Sequence, residues 1–116
     1  MTDVSSIRQA SDACRALLSE SFPVTIGVIL GSGLGASADR FLSEGAKAIR
    51  YDQIPCMPKT HVIGHAGRLV VGQFGTVRVA MLQGRSHFYE GHDPETVTFA
   101  TQLLAALGMS TLVVTN

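Results

Sequence analysis

Apolar residues recur at helical spacing near the start of the chain: Ile7, Ala10, Cys14, Leu17 and Leu18 alternate with polar positions. This spacing predicts an amphipathic helix over about residues 5–20, capped by Ser5 or Ser6 and broken at Phe22-Pro23. Val24-Thr25-Ile26-Gly27-Val28-Ile29-Leu30 follows, apolar on both faces and rich in β-branched residues. Such a run predicts a strand covered on both sides in a parallel or mixed sheet. A glycine turn comes next, then a short helix over 36–42 and a strand over 46–51. Ile54-Pro55-Cys56-Met57-Pro58 forces an extended, irregular connection. Two alternating runs, 68–74 and 76–82, meet at Gly75 and predict a β-hairpin. After a polar loop over 83–92, Asp93-Pro94-Glu95 provides a cap, a first-turn proline and an acid for the positive helix end. That helix runs to Leu107 and stops at Gly108, and 111–115 reads as another buried strand. The pattern is that of a single domain over 1–116 in the α/β class, a mixed β-sheet flanked by helices.

Composition narrows the function more than the fold. At 116 residues and 46% hydrophobic, the chain is long enough to bury one core. Nine basic residues balance nine acidic ones, so no large basic field points to nucleic acid or a membrane surface. No apolar run reaches the length of a membrane span, and the first residues do not form a signal peptide. Cys14 and Cys56 lack CxxC or metal-ligand spacing and read as two free thiols in a reducing compartment, with Cys14 buried. The expectation is a cytoplasmic protein. A central strand that finishes at the last residue lacks the loop in which α/β proteins build sites, so the sequence is expected to be incomplete.

The candidate chemistry lies in three polar segments. Gly31-Ser32-Gly33-Leu34-Gly35 joins a buried strand to a helix. Glycines let backbone N–H groups converge on an anion, the helix adds its positive end, and Ser32 adds a hydroxyl. The same pattern also serves as a tight turn without a ligand. A dinucleotide fingerprint competes, because Gly31, Gly33 and Ala36 fit G-x-G-x-x-G/A and Asp52 lies roughly 20 residues on. Against it stand the short helix broken at Ser43-Glu44-Gly45 and the polar Ser37 and Asp39, which suit a sheet-packed helix poorly. No Lys-Ser/Thr follows the glycines, which excludes a P-loop.

Gln83-Gly84-Arg85-Ser86-His87-Phe88-Tyr89-Glu90-Gly91-His92 is the second segment. Arg85 can clamp phosphate through two parallel donors; His87 and Tyr89 continue the same alternation, and Tyr89 offers a face to a sugar or base. Pairing of Arg85 with Glu90 in a solvated loop is the plain alternative. The third is Gly64-His65-Ala66-Gly67-Arg68, whose glycine-flanked histidine reads as exposed. His61 and His92 have no nameable partner, and the four histidines match no zinc template, so no metal is expected. Anion donors abound while no Ser-His-Asp order, nucleophile elbow or acid pair occurs. A reaction whose nucleophile is the bound phosphate fits that imbalance.

These three segments, together with Leu112-Val113-Val114-Thr115-Asn116, resemble the ordered motifs of the trimeric purine nucleoside phosphorylases over nearly the whole chain. The Arg-x-His-x-Tyr-Glu-Gly loop is the most specific part. Methylthioadenosine phosphorylases normally carry Thr in the glycine turn and lack the Tyr-Glu-Gly ending. The resemblance implies a homotrimeric α/β enzyme that cleaves purine (deoxy)ribonucleosides to free purine and pentose 1-phosphate. Inorganic phosphate is then the co-substrate and no cofactor is needed. It implies that Ser32, His65, Arg85, the Ser86 backbone and His87 hold phosphate, that His87 is the catalytic candidate, and that Tyr89 lies against the ribose. The family continues past Asn116 with a small-residue segment, then the purine-reading Glu and Asn and a second phosphate-binding Ser. The chain is therefore expected to be an amino-terminal portion with little or no turnover alone. A dinucleotide-binding domain of an NAD-dependent oxidoreductase and a non-catalytic phosphate-binding module remain the alternatives.

Overall fold

The computed structural model of the protein describes residues 4–30, 35–58, 67–83 and 94–115. Its centre is a five-stranded mixed sheet built from β1 (Ile26–Ile29), β2 (Lys47–Arg50), β3 (Arg68–Phe74), β4 (Val77–Gln83) and β5 (Thr111–Val114). The strand order is β2-β3-β4-β1-β5. β1 runs parallel to β4 and β5, whereas β3 is antiparallel to β2 and β4. Among the described residues three α-helices cover it: α1 (Val4–Leu17), α2 (Gly35–Ser43) and α3 (Pro94–Ala106).

Strand alternation sorts the side chains between two apolar layers. Leu69, Val71, Ala80 and Leu82 face one side, where Ala10 and Cys14 of α1 meet Phe99, Leu103 and Leu104 of α3. Val70, Val79 and Met81 face the other, beneath Ala38 and Phe41 of α2. Ser37 and Asp39 of that helix are exposed, so the polar residues that counted against sheet packing occupy its outer side. Between α1 and α3, Arg15 donates to the Ala106 carbonyl at 3.0 Å, satisfying an orphan acceptor at a helix end.

The predicted hairpin is present, with Phe74 opposite Val77 across a turn at Gly75 (φ +62°). The predicted stop of α3 is present too: Gly108 has φ +107°, and its N–H binds the Ala105 carbonyl at 3.1 Å. Both glycines take a left-handed backbone that a Cβ would oppose. Cys14 is buried as expected and Cys56 is exposed. No helix of the described residues is long and apolar enough to cross a membrane.

Three local expectations need correction. Ser5 and Ser6 lie inside α1, which already begins at Val4, so neither caps it. Tyr51 is not in the second strand; β2 ends at Arg50, and Tyr51–Gln53 form a single 3₁₀ turn closed by Arg50 N–H to Gln53 Oε1 at 2.9 Å. The last strand is not buried. Leu112, Val113 and Val114 are 36%, 43% and 65% exposed, because β5 occupies the margin of the described sheet and pairs only with β1 there.

Candidate functional site

The residues singled out for phosphate and sugar, Ser32, His65, Arg85, Ser86, His87 and Tyr89, lie outside the described residues. The stems that carry them are described, and the sheet topology brings those stems to one end. Because β1, β4 and β5 are parallel and in register at Ile29, Leu82 and Val114, all three finish together. β3 runs the opposite way and begins where β4 ends, with Arg68 opposite Gln83. The glycine turn leaves from Leu30, the His65 segment returns at Gly67, and the Arg85 segment departs from Gln83. The stems of three candidate segments remote in sequence therefore lie at the carboxyl ends of the parallel strands, the side on which open α/β sheets bind ligands.

Side chains lock these stems to one another. The Arg68 guanidinium donates through Nε to Gln83 Oε1 and through a terminal nitrogen to Asp39 Oδ1. Gln83 Nε2 also lies 3.4 Å from the same Asp39 oxygen. Asp39 belongs to the helix that follows the glycine turn, Arg68 opens the strand that follows His65, and Gln83 closes the strand that precedes Arg85. Main-chain bonds reinforce the arrangement: Leu30 N–H to Leu82 O at 3.2 Å, and Thr115 N–H to Ile29 O at 3.0 Å.

Gly67 sits in a pinch. Its carbonyl accepts from Tyr51 N–H at 3.0 Å. A Cβ there would meet the Tyr51 ring, with Cδ2 at 2.6 Å, and the Gln83 carbonyl oxygen at 2.9 Å. Tyr51 is buried, and its hydroxyl has no hydrogen-bond partner among the described residues. Desolvation pushes that phenol well above its ordinary range, so it stays protonated as a donor.

Asp39, Tyr51 and Arg68 escaped sequence reasoning as site residues. The Arg68–Gln83 pairing was legible in principle, since a hairpin turning at Gly75 sets them opposite one another. Asp39 had no such signal, being 29 residues from its partner in the chain.

The dinucleotide reading fails on topology. β2, the next strand after the glycine turn and α2, is separated from β1 by β3 and β4 rather than lying beside it. Asp52, the residue at the ribose-acid position, is instead an exposed partner of Arg50 at 3.0 Å. Among the described residues no cluster of three His, Cys, Asp or Glu could hold a metal ion. A cleft of about 340 Å³ lies at the opposite end of the sheet, lined in part by Leu18, Glu20, Lys47, Gln73 and Arg78. It is remote from every stem described above, and Arg78 there is engaged with the Phe22 carbonyl at 3.3 Å.

Comparison with known proteins adds a second line. The model of the phosphorylase superfamily matches residues 25–116. Purine nucleoside phosphorylase 1 of Geobacillus stearothermophilus is 46% identical over 111 residues, which are 94% of this chain and 40% of that protein. The purine nucleoside phosphorylase of Rattus norvegicus is 44% identical over 91 residues, 78% of this chain and 31% of that protein. Among solved structures, isoform 2 of the Schistosoma mansoni purine nucleoside phosphorylase, in complex with cytosine and ribose-1-phosphate, superposes with a TM-score of 0.80. It is 34% identical and is matched over 98% of this chain and 39% of that one. The chain thus spans about two-fifths of the length of these Geobacillus and Schistosoma relatives.

Proposed function

The chain belongs to the phosphorylase superfamily, and on that premise we propose that it supplies the phosphate and ribose side of a purine nucleoside phosphorylase. The reaction is phosphorolysis of purine (deoxy)ribonucleosides to free base and (deoxy)ribose 1-phosphate. The observation that carries this reading is the convergence of the three donor-bearing stems at one end of the sheet. Residues 1–116 then form one unit, the amino-terminal part of a phosphorylase domain.

Each residue's role follows from the chemistry of the bond that breaks. As the glycosidic C–N bond lengthens, positive charge develops on the sugar as an oxocarbenium ion. A phosphate dianion held beneath the anomeric carbon stabilises that charge and then forms the new C–O bond, so phosphate is both electrostatic partner and nucleophile. Ser32 and the turn around it, His65, Arg85 as a bidentate fork, the Ser86 N–H and His87 are the donors that hold it. His87 also acts as the catalytic residue, fixing the attacking oxygen. Tyr89 lies against the ribose. Inorganic phosphate serves as co-substrate without a cofactor. A homotrimer in the cytoplasm, with no nucleic acid or membrane partner, completes the reading.

We assign turnover to a polypeptide that carries this sequence at the length of its relatives; the groups that would read the base are not assigned to these 116 residues. The experiment is phosphate-dependent release of hypoxanthine from inosine by that polypeptide, with Arg85→Ala alongside. A phosphate KM raised at least tenfold in the variant is expected. Release without phosphate dependence, or none at all, overturns the reading.

A further inference from the structure

The segments proposed above to hold phosphate are attached to three elements, α2, β3 and β4. β3 and β4 are joined by ladder hydrogen bonds, whereas α2 is tied to them by packing of Ala38 and Phe41 and by a polar cluster. That cluster is Asp39–Arg68–Gln83. It sits at the stems, one residue beyond Gly67 on one strand and one residue before Gly84 on the other. Asp39 lies on the first turns of the helix that leaves the glycine turn.

We propose that Arg68, held between Asp39 and Gln83, is a positioning residue that holds the stems of the three proposed phosphate segments together. This rests on the phosphorylase reading. The guanidinium is suited to it by shape. Its Nε and terminal nitrogens leave a rigid plane in set directions, one taken by the strand and one by the helix. An ammonium offers no such fork. Spacing matters because a hydrogen bond to a phosphate oxygen weakens steeply outside a narrow distance range, and three walls must reach one tetrahedral anion at once. At Gly67 beside it, the Tyr51 ring and the Gln83 carbonyl occupy the space that a Cβ would need.

A competing role for Arg68 is direct ligation of phosphate, and the sign of one substitution separates the two. If Arg68 touched phosphate, removing the Asp39 charge would free the cation and lower the phosphate KM. If Arg68 positions the segments, the same change loosens the cluster and raises it.

The test uses a polypeptide that carries this sequence at the length of its relatives, with Asp39→Asn, Arg68→Lys and the double variant assayed at varied phosphate and varied nucleoside. The expected result is a phosphate KM raised about tenfold in each single variant, with nucleoside KM and kcat changed less than about threefold. The double variant is no worse than the poorer single one, as for two parts of one device. A merely structural role would reduce the folded fraction and hence apparent kcat, leaving the phosphate KM in place. An unchanged or lowered phosphate KM in Asp39→Asn overturns the inference. Asp39 is largely exposed, so this variant stays informative even if Arg68→Lys fails to fold. An active parent with an unaffected Asp39→Asn refutes the positioning role alone; an inactive parent refutes the phosphorylase reading and this role with it.

Discussion

β4 and β5 both lie beside β1, both run parallel to it, and both finish at the same end of the sheet. Their sequences look alike, Val-Arg-Val-Ala-Met-Leu against Thr-Leu-Val-Val. Yet Val79 to Leu82 are all buried, whereas the whole of β5 is exposed. β4 has strands on both sides, α1 and α3 over one face and α2 over the other; among the described residues β5 has only β1 as a strand neighbour. Apolar content therefore marks a strand but not its depth, which depends on what else the topology stacks against it. The contrast extends beyond these strands, because the molecule pairs similar residues in its closed interior and at its open margin.

The largest expected difference is between two leucines. Leu82 is buried in the larger of the two apolar clusters, and Leu82→Ala should cost about 2–5 kcal/mol in chemical denaturation of the 116-residue chain. Leu112→Ala, on β5, should cost less than about 1 kcal/mol. A comparable loss at Leu112 would break the comparison and mean that β5 is covered in solution.

The two cysteines sharpen it by reactivity. Burial pushes the Cys14 thiol from its ordinary 9.0 to about 11, with Arg15 opposing the rise only in part. Its thiolate is suppressed about a hundredfold relative to an ordinary thiol, and the reagent must also reach it. A disulfide reagent at pH 8 should modify one thiol, Cys56, in the native chain and two in denaturant. On unfolding, Cys14 regains its ordinary 9.0 and releases its proton first. Its contribution to stability is thus whole below pH 9.0 and is lost as pH rises to about 11. Two rapidly reacting native thiols would refute the buried assignment.

Gly67 and Gly75 differ in the same way. Gly67→Ala drives a methyl into the Tyr51 ring and a carbonyl, and should cost about 1–3 kcal/mol. Gly75→Ala meets nothing within 4 Å, so only its positive φ resists, at about 1 kcal/mol. Thermal melts of the two variants check the order; equal shifts would show that the pinch at Gly67 yields.

Much of this frame was legible because local signals agreed. The α1 stripe, the hairpin about Gly75 and the Gly108 stop each rest on periodicity or a backbone requirement that a sequence displays. What was not legible depended on partners far along the chain. The exposure of β5 follows from strand order, and no residue of β5 encodes that order. Ser5 and Ser6 resembled caps because α1's first turn contains residues that favour either role. For the candidate site, the candidate donors could be read as motifs, but the common end of the sheet at which their stems lie emerged only once β1, β3 and β4 were in register. The Asp39–Arg68 link had no local signature, so a residue that seemed ill-suited to its helix became the tie between that helix and the sheet.

The smallest expected effect supplies the control for that tie. Arg40 and Glu44 form the other ion pair at α2, with nitrogen and oxygen 3.7 Å apart and side chains 83% and 57% exposed. At i, i+4 with the acid C-terminal, the pair has the weaker orientation, and water screens it. Glu44→Gln should change stability by less than about 0.5 kcal/mol and leave the phosphate KM of the active polypeptide untouched. It removes the same charge as Asp39→Asn, only five positions away, so any general effect of altering charge on α2 would appear in both. A phosphate KM that rises in Asp39→Asn and not in Glu44→Gln therefore assigns the effect to the three-way cluster at the stems. A rise in both would trace it to the net charge of the helix, and the contrast between closed interior and open margin would then not extend to its ion pairs.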